Sequence, residues 1–198
     1  MLYKILRFLA GVFSNFFFRL EVRGKNNIPR IGGFILASNH ASYLDPIVLA
    51  VACPRRLSFM ARDNLFSIPF FGALLRKIGV FPLRRDYADI SSIKEAIRRL
   101  KQAGGLLVFP EGTRASESLE QKAKPGVSFI AAKSRVPLVP AFVQGSNRAL
   151  RRNARFIRPA KIKVYFGSPV YPGEGGIKDN YEDFATRVMQ KIKQLNQE

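Results

Sequence analysis

One imidazole and one carboxylate are the natural starting point. His40 is the sole histidine among 198 residues. Asp45 follows five positions later, and an apolar run from Gly33 to Ala37 leads into the pair. An imidazole exchanges protons near neutral pH without special help. Held by a carboxylate it becomes a general base, because the carboxylate fixes the tautomer and stabilises the cation made on proton uptake. A solitary histidine serves equally well as a loop or core residue, so the rest of the chain has to support the pair.

The elements that must position these two side chains can be read next. On a regular helix a five-residue offset separates side chains by about 140°, so a turn or helix start must lie between His40 and Asp45. Ser42 and the Asp45-Pro46 step supply one. Proline suits the first helical turn, which predicts Asp45 as N-cap of a helix from Ile47 to Ala52. Gly33 to Ala37 reads as a buried strand, Arg56 to Ala61 as a second, and Gly79 to Leu83 as a short extended run ending at Arg84-Arg85. Residues 93–103 read as a helix, with Ser92 and Glu95 as a capping box, a stripe of Ile93, Ile97 and Leu100, and Gly104-Gly105 closing it. Leu106 to Phe109 follows as a buried strand. Val136 to Val143 is interrupted by prolines and predicts an edge or irregular strand. Ile162, Val164 and Phe166 alternate with polar neighbours as a half-exposed strand. Phe184, Val188, Ile192 and Leu195 mark a final amphipathic helix opened by Asp179. Leu65 to Leu75 reads as core packing, ahead of the alternatives of a second membrane-facing surface or an acyl channel.

This alternation predicts an α/β fold: a single domain with a mixed, largely parallel sheet flanked by helices. Ligands in such folds bind at the loops beyond the carboxyl ends of the strands. The His40 loop and the segment Glu111 to Arg114 both fall there.

Composition narrows the partners. The formal net charge is +19, which implies an anionic partner, either nucleic acid or an anionic membrane. Of 17 phenylalanines, Phe8, Phe13, Phe16, Phe17 and Phe18 crowd the first 18 positions, flanked by Lys4, Arg7 and Arg19. Such a cluster fits an interfacial helix, although a helix packed on its own domain is the competing reading. The uncharged run from Phe8 to Phe18 is too short for a span of roughly 20 residues, and no cleavage site of a removed signal peptide is expected. Residues 1–24 therefore read as a membrane-anchoring segment ahead of a catalytic domain at 25–198. The single cysteine, Cys53, excludes an intrachain disulfide, and one His with one Cys makes a metal site improbable.

Four stretches then resemble the glycerolipid O-acyltransferases, especially the 1-acylglycerol-3-phosphate (lysophosphatidic acid) acyltransferases. Asn39-His40, four residues and Asp45 match the first family motif. Gly79, Phe81 and Arg84 match the second, with Leu83 where relatives often carry an acid. Phe109 to Arg114, Phe-Pro-Glu-Gly-Thr-Arg, matches the third unchanged, and Val136 to Pro140 matches the apolar fourth. The resemblance spans about Gly33 to Gly145.

It implies an enzyme that moves a fatty acyl group from a thioester, acyl-CoA or acyl carrier protein, to the sn-2 hydroxyl of lysophosphatidic acid, forming phosphatidic acid. His40 would be the base and Asp45 its partner. Asn39, Phe81, Arg84, Glu111, Gly112, Thr113 and Arg114 would hold the acceptor, and Lys124 its phosphate or the acyl carrier. No bound cofactor or metal is implied. The implied place is the cytoplasmic face of the cell membrane, with Arg148 to Lys163 docking anionic headgroups. Two rival readings are transfer to another acceptor, such as glycerol 3-phosphate or another lysolipid, and a basic nucleic-acid-binding module. The latter explains the charge but neither the His–Asp pair nor the intact third motif.

Overall fold

Glycines and prolines cut the chain into short alternating elements. The computed structural model describes residues 1–83, 90–112, 125–151, 154, 156–173 and 180–197. In chain order these contain α1 (Leu2–Phe18), β1 (Glu21–Arg23), β2 (Phe34–Ser38), α2 (Asp45–Ala52), β3 (Leu57–Arg62), α3 (Phe71–Ile78), β4 (Val80–Leu83) and α4 (Ile90–Lys101). They continue with β5 (Gly105–Val108), α5 (Gly126–Ser134), β6 (Leu138–Gln144), α6 (Ser146–Ala149), β7 (Lys163–Phe166) and α7 (Tyr181–Gln194).

The strands form one sheet in the order β1-β7-β6-β2-β5-β3-β4. All pairings are parallel except the antiparallel β6–β7 pair. Successive side chains of a strand point to opposite faces, and β2 therefore feeds two cores. Ile35 and Ala37 pack with α4, α5 and α7, where Phe184, Val188 and Ile192, with Leu195 just past the helix, are buried as their spacing predicts. Phe34 and Leu36 pack with α2 and the end of α1. Because β2 lies between β5 and β6, the loops leaving these three strands crowd together at one end of the sheet.

Several elements depart from the sequence reading. β6 is interior and buried up to Gln144, not an edge. Pro140 is tolerated because it lies one position beyond the last β6–β7 pair, Ala141–Phe166. Its carbonyl still accepts from the Gly167 N–H. α4 starts at Ile90, so Ser92 is no cap; its hydroxyl donates to the Pro82 carbonyl, while Glu95 pairs with Arg98 and Arg99. Asn180 caps α7 by accepting from the N–H groups of Glu182 and Asp183, and Asp179 lies outside the described residues. Tyr165 is buried, making β7 less exposed than its alternation suggests. Of the segment read as core, Ile68, Phe70, Phe71 and Leu74 are exposed. β1 pairs with β7, so the sheet begins at Glu21, inside the segment read as an anchor.

α1 has an inverted arrangement. Its inward stripe is polar or small until the buried Phe18: Arg7 donates to the carbonyls of Val51 and Cys53, the Tyr3 hydroxyl accepts from the Leu57 N–H, a side chain at Gly11 would meet Val51, and Ser14 is buried. Its outward face carries Ile5, Phe8, Leu9, Val12, Phe13 and Phe16. No helix among the described residues is long and apolar enough to cross a membrane.

Candidate active site

The central strand β2 delivers its last residue, Ser38, to the crowded end of the sheet, and residues 39–44 leave it as a loop without helical structure. α2 then starts at Asp45 with Pro46 in its first turn. Leu44, not Asp45, occupies the cap position, which leaves the Asp45 carboxylate to bind backwards. Its Oδ2 accepts from the N–H groups of Ala41 and Ser42, each at 2.7 Å. The Nδ1 of His40 stands 3.0 Å from the same oxygen. The loop thus closes the angular gap that a continuous helix would have kept open. Asp45 is fully buried and the His40 side chain is 18% exposed, so the pair is shielded on the carboxylate side and open on the imidazole side.

Three neighbours hold the loop. The Asn39 amide donates to the Val143 carbonyl at 3.0 Å and accepts from the Val143 N–H at 2.7 Å, locking the loop to β6. The Ser42 hydroxyl accepts from the Leu44 N–H and donates to the Leu150 carbonyl. Phe109, just past β5, stacks on the imidazole. Sequence reasoning gave Asn39 a substrate contact, whereas its amide is engaged with β6. It missed Phe109 and Val143 as loop supports, although Phe109 sits in the quoted third motif, and it named Ser42 only as part of the turn.

Glu111 lies beside the pair, 4% exposed. Burial raises its carboxyl above the ordinary carboxylate range; the His40 backbone N–H and charge pull the other way, and the Asp45 charge adds to the rise. Its Oε2 is buried with no hydrogen-bond partner among the described residues. A buried acceptor without a partner is costly, and the site has an opening for a donor there. Gly112 adopts φ +71°, the left-handed region open to glycine, and turns the chain back so that its N–H reaches the Phe109 carbonyl.

A cavity of about 460 Å³ opens on His40, Asn39 and Glu111 and runs along the ends of β6 and β7, past Gly145 to Arg148, Lys161 and Lys163. Phe81 is not part of it. It is 4% exposed in the core, with the Arg99 guanidinium over its ring. Arg84, Thr113, Arg114 and Lys124 lie outside the described residues. Burial pushes the Cys53 thiol up to about 11, which leaves it a packing residue and not a nucleophile.

Comparison with known proteins agrees with the motifs. The family model described as Acyltransferase matches residues 19–144. A 1-acyl-sn-glycerol-3-phosphate acyltransferase of Bacillus subtilis (strain 168) is 33% identical over 180 residues, covering 89% of this chain and 87% of that protein. A chloroplastic protein of the same description from Brassica napus is 26% identical over 85% of this chain. The chain spans about half, 51%, of that relative. The crystal structure of the 1-acyl-sn-glycerophosphate (LPA) acyltransferase PlsC from Thermotoga maritima shares the fold, with a TM-score of 0.82 at 24% identity over 99% of this chain and 80% of that one.

Proposed function

The chain belongs to the acyltransferase family, and on that premise we propose that it transfers a fatty acyl group from a thioester donor to the free sn-2 hydroxyl of 1-acylglycerol 3-phosphate. The observation that carries the mechanism is the 3.0 Å contact between His40 Nδ1 and Asp45 Oδ2. With Nδ1–H donating to the carboxylate, the lone pair of His40 sits on Nε2, the nitrogen on the open side. Nε2 takes the proton of the acceptor hydroxyl as its oxygen attacks the thioester carbonyl. The tetrahedral intermediate collapses, the C–S bond breaks, and the thiolate leaves with the proton returned by the imidazolium. The products are the diacyl phosphate ester and free thiol. No enzyme nucleophile is needed, since the acceptor oxygen attacks directly.

In this reading the Glu111 Oε2 accepts a hydrogen bond from a hydroxyl of the acceptor. Asn39 acts as a positioning residue, because its amide is held by Val143. Arg84, Thr113 and Arg114 contact the acceptor's phosphate and glycerol, as the family motifs suggest; guanidinium groups suit phosphate through bidentate bonds. The acceptor arrives from a lipid surface. The outward apolar face of α1, flanked by Lys4 and Arg19, docks the protein on anionic phospholipid. The aromatic end of this helix lies at the active-site end of the sheet, because the Ile162 N–H donates to the Phe18 carbonyl just ahead of Lys163, which pairs with Gln144 at the end of β6.

The test supplies wild-type and His40→Ala protein with palmitoyl-CoA and lysophosphatidic acid in mixed micelles and follows diacyl product and free thiol together. Equal amounts of product and thiol from the wild type, and neither above background from the variant, support the reading. Thiol without lipid product would overturn the acceptor assignment.

A further inference from the structure

Three cations of the run that the sequence assigned to membrane headgroups, Arg148, Lys161 and Lys163, line the cavity that opens on His40. We propose that they form an anion subsite for the phosphate carried on the pantetheine arm of the acyl donor. The inference rests on the acyl-transfer reading above and adds where the donor binds.

Sheet order supplies the first argument. β2 carries the His40 loop, with β5 on one side and β6 then β7 on the other. The Glu111–Gly112 turn leaves β5, so the acceptor motif approaches His40 from that side. The cations sit beyond β6 and at the start of β7, on the opposite side. Glu111 and the cations thus line one cavity that opens on His40, reached from β5 on one side and from β6 and β7 on the other.

Distance supplies the second. β7 is two strands from β2, about 10 Å across the sheet at the usual strand spacing. In the acceptor, phosphate and reacting hydroxyl are separated only by two carbons and an ester oxygen, so an acceptor held at His40 keeps its phosphate close to the imidazole. In the donor, the whole pantetheine arm separates phosphate from sulfur.

Local geometry supplies the third. Gly145 adopts φ +87°, and a side chain there would collide with the Lys161 carbonyl. The close approach fastens the Lys161 backbone to the end of β6. Lys161 also pairs with Glu21 at 2.6 Å. Arg148 and Lys163 make no direct ion pair among the described residues, although the Lys163 charge also acts on Glu21. Cations converging on one concave wall raise the local concentration of phosphate.

The test compares palmitoyl-CoA, palmitoyl-phosphopantetheine and palmitoyl-pantetheine as donors at fixed lysophosphatidic acid. It uses wild type, the triple variant Arg148→Gln/Lys161→Gln/Lys163→Gln, and the single variants Lys163→Gln and Lys163→Arg. Wild type is expected to show a KM at least tenfold lower for phosphorylated donors than for palmitoyl-pantetheine, and the triple variant to lose most of that preference. Lys163→Arg retains it. Loss for both phosphorylated donors assigns the linking phosphate; loss for palmitoyl-CoA alone assigns the nucleotide phosphates. The first result supports the subsite, whereas the second, or a preference kept in the triple variant, overturns it.

Calorimetric titration with coenzyme A reads the subsite without turnover. Binding weakened tenfold or more in a variant with an unchanged melting curve supports the subsite even if lysophosphatidic acid proves the wrong acceptor. Unchanged coenzyme A binding overturns the subsite whatever the turnover shows. Weaker binding to anionic vesicles with the donor preference intact returns these cations to the membrane and also overturns it. Should the triple variant fail to fold, Lys163→Gln alone is expected to reduce the preference by about threefold, and a full preference there counts against the subsite.

Discussion

Phe109 lies flat against the imidazole of His40, with ring centroids 3.9 Å apart and planes 16° from parallel. The contact follows from strand order: β2 and β5 pair with Ala37 opposite Val108, so the residues just past their ends meet. The ring plane of His40 is fixed by Phe109, and its rotation by Asp45. The first and third motifs are thus joined at the proposed base.

Phe109→Leu removes the stack and keeps the apolar contact. Such a stack contributes about 1 kcal/mol beyond its buried area, about a factor of five in rate if it acts by holding the base in line. The expected result is a kcat lower by about fivefold with smaller changes in both KM values, and recovery in Phe109→Tyr. Steady-state kinetics check this, and a selective rise in acceptor KM would assign Phe109 to binding.

Asp45→Asn preserves shape, and its amide oxygen still accepts from Ala41 and Ser42. It removes the negative charge that stabilises the imidazolium, while the same amide oxygen still accepts from His40 Nδ1. Turnover is expected to fall by about 10²–10⁴-fold, with a melting temperature close to wild type. A rate within threefold of wild type would remove His40 from the role of base.

Much of this site was legible in the sequence, and each failure has a local cause. Burial of β2 and β5, the His40–Asp45 contact and the stripe of α7 follow from apolar runs and short offsets. Val136 to Val143 looked like an edge because its prolines lack donors, yet Pro140 stands where the ladder to β7 has ended. The capping box at Ser92 failed because α4 starts earlier and the serine answers to Pro82, a tertiary partner. Phe81 matched a motif position but points into the core. Leu65 to Leu75 is apolar without being buried, since hydrophobicity does not say whether the covering medium is protein or lipid.

Glu111 gives a pH-dependent prediction. Burial raises its carboxyl in the folded state, with His40 and Lys193 opposing and Asp45 reinforcing the rise. A raised folded value means that the group favours folding below its ordinary 4.5 and loses that contribution as pH climbs through the raised value. Above it, ionised Glu111 opposes folding. Glu111→Gln is therefore expected to melt higher than wild type at pH 8, by about 2–4 °C for a change near 1 kcal/mol. The gap should shrink toward pH 4.5, and turnover should fall. Melting curves across that range check the sign; a gap that widens at low pH would mean that the carboxylate is stabilised when charged.

The outward face of α1 gives the last prediction. Phe8 is 69% and Phe16 89% exposed, while the same helix holds the domain through Arg7 and the buried Phe18. Deleting residues 1–20 would therefore remove core contacts along with the exposed apolar face, and its effects on folding and on binding would be mixed. Phe8→Ser/Phe16→Ser touches only the outward side. Burying a phenylalanine contributes about 2 kcal/mol, so partial insertion of two rings predicts at least a tenfold loss of partitioning into vesicles of anionic phospholipid, with melting unchanged. Arg7→Gln should act oppositely, lowering the melting temperature through the lost bonds to Val51 and Cys53 with less effect on partitioning. If the double variant partitions like wild type, the exposed phenylalanines are not the lipid contact, and the membrane-facing surface must be sought among Ile68, Phe70, Phe71 and Leu74 around α3, which packs beside α1.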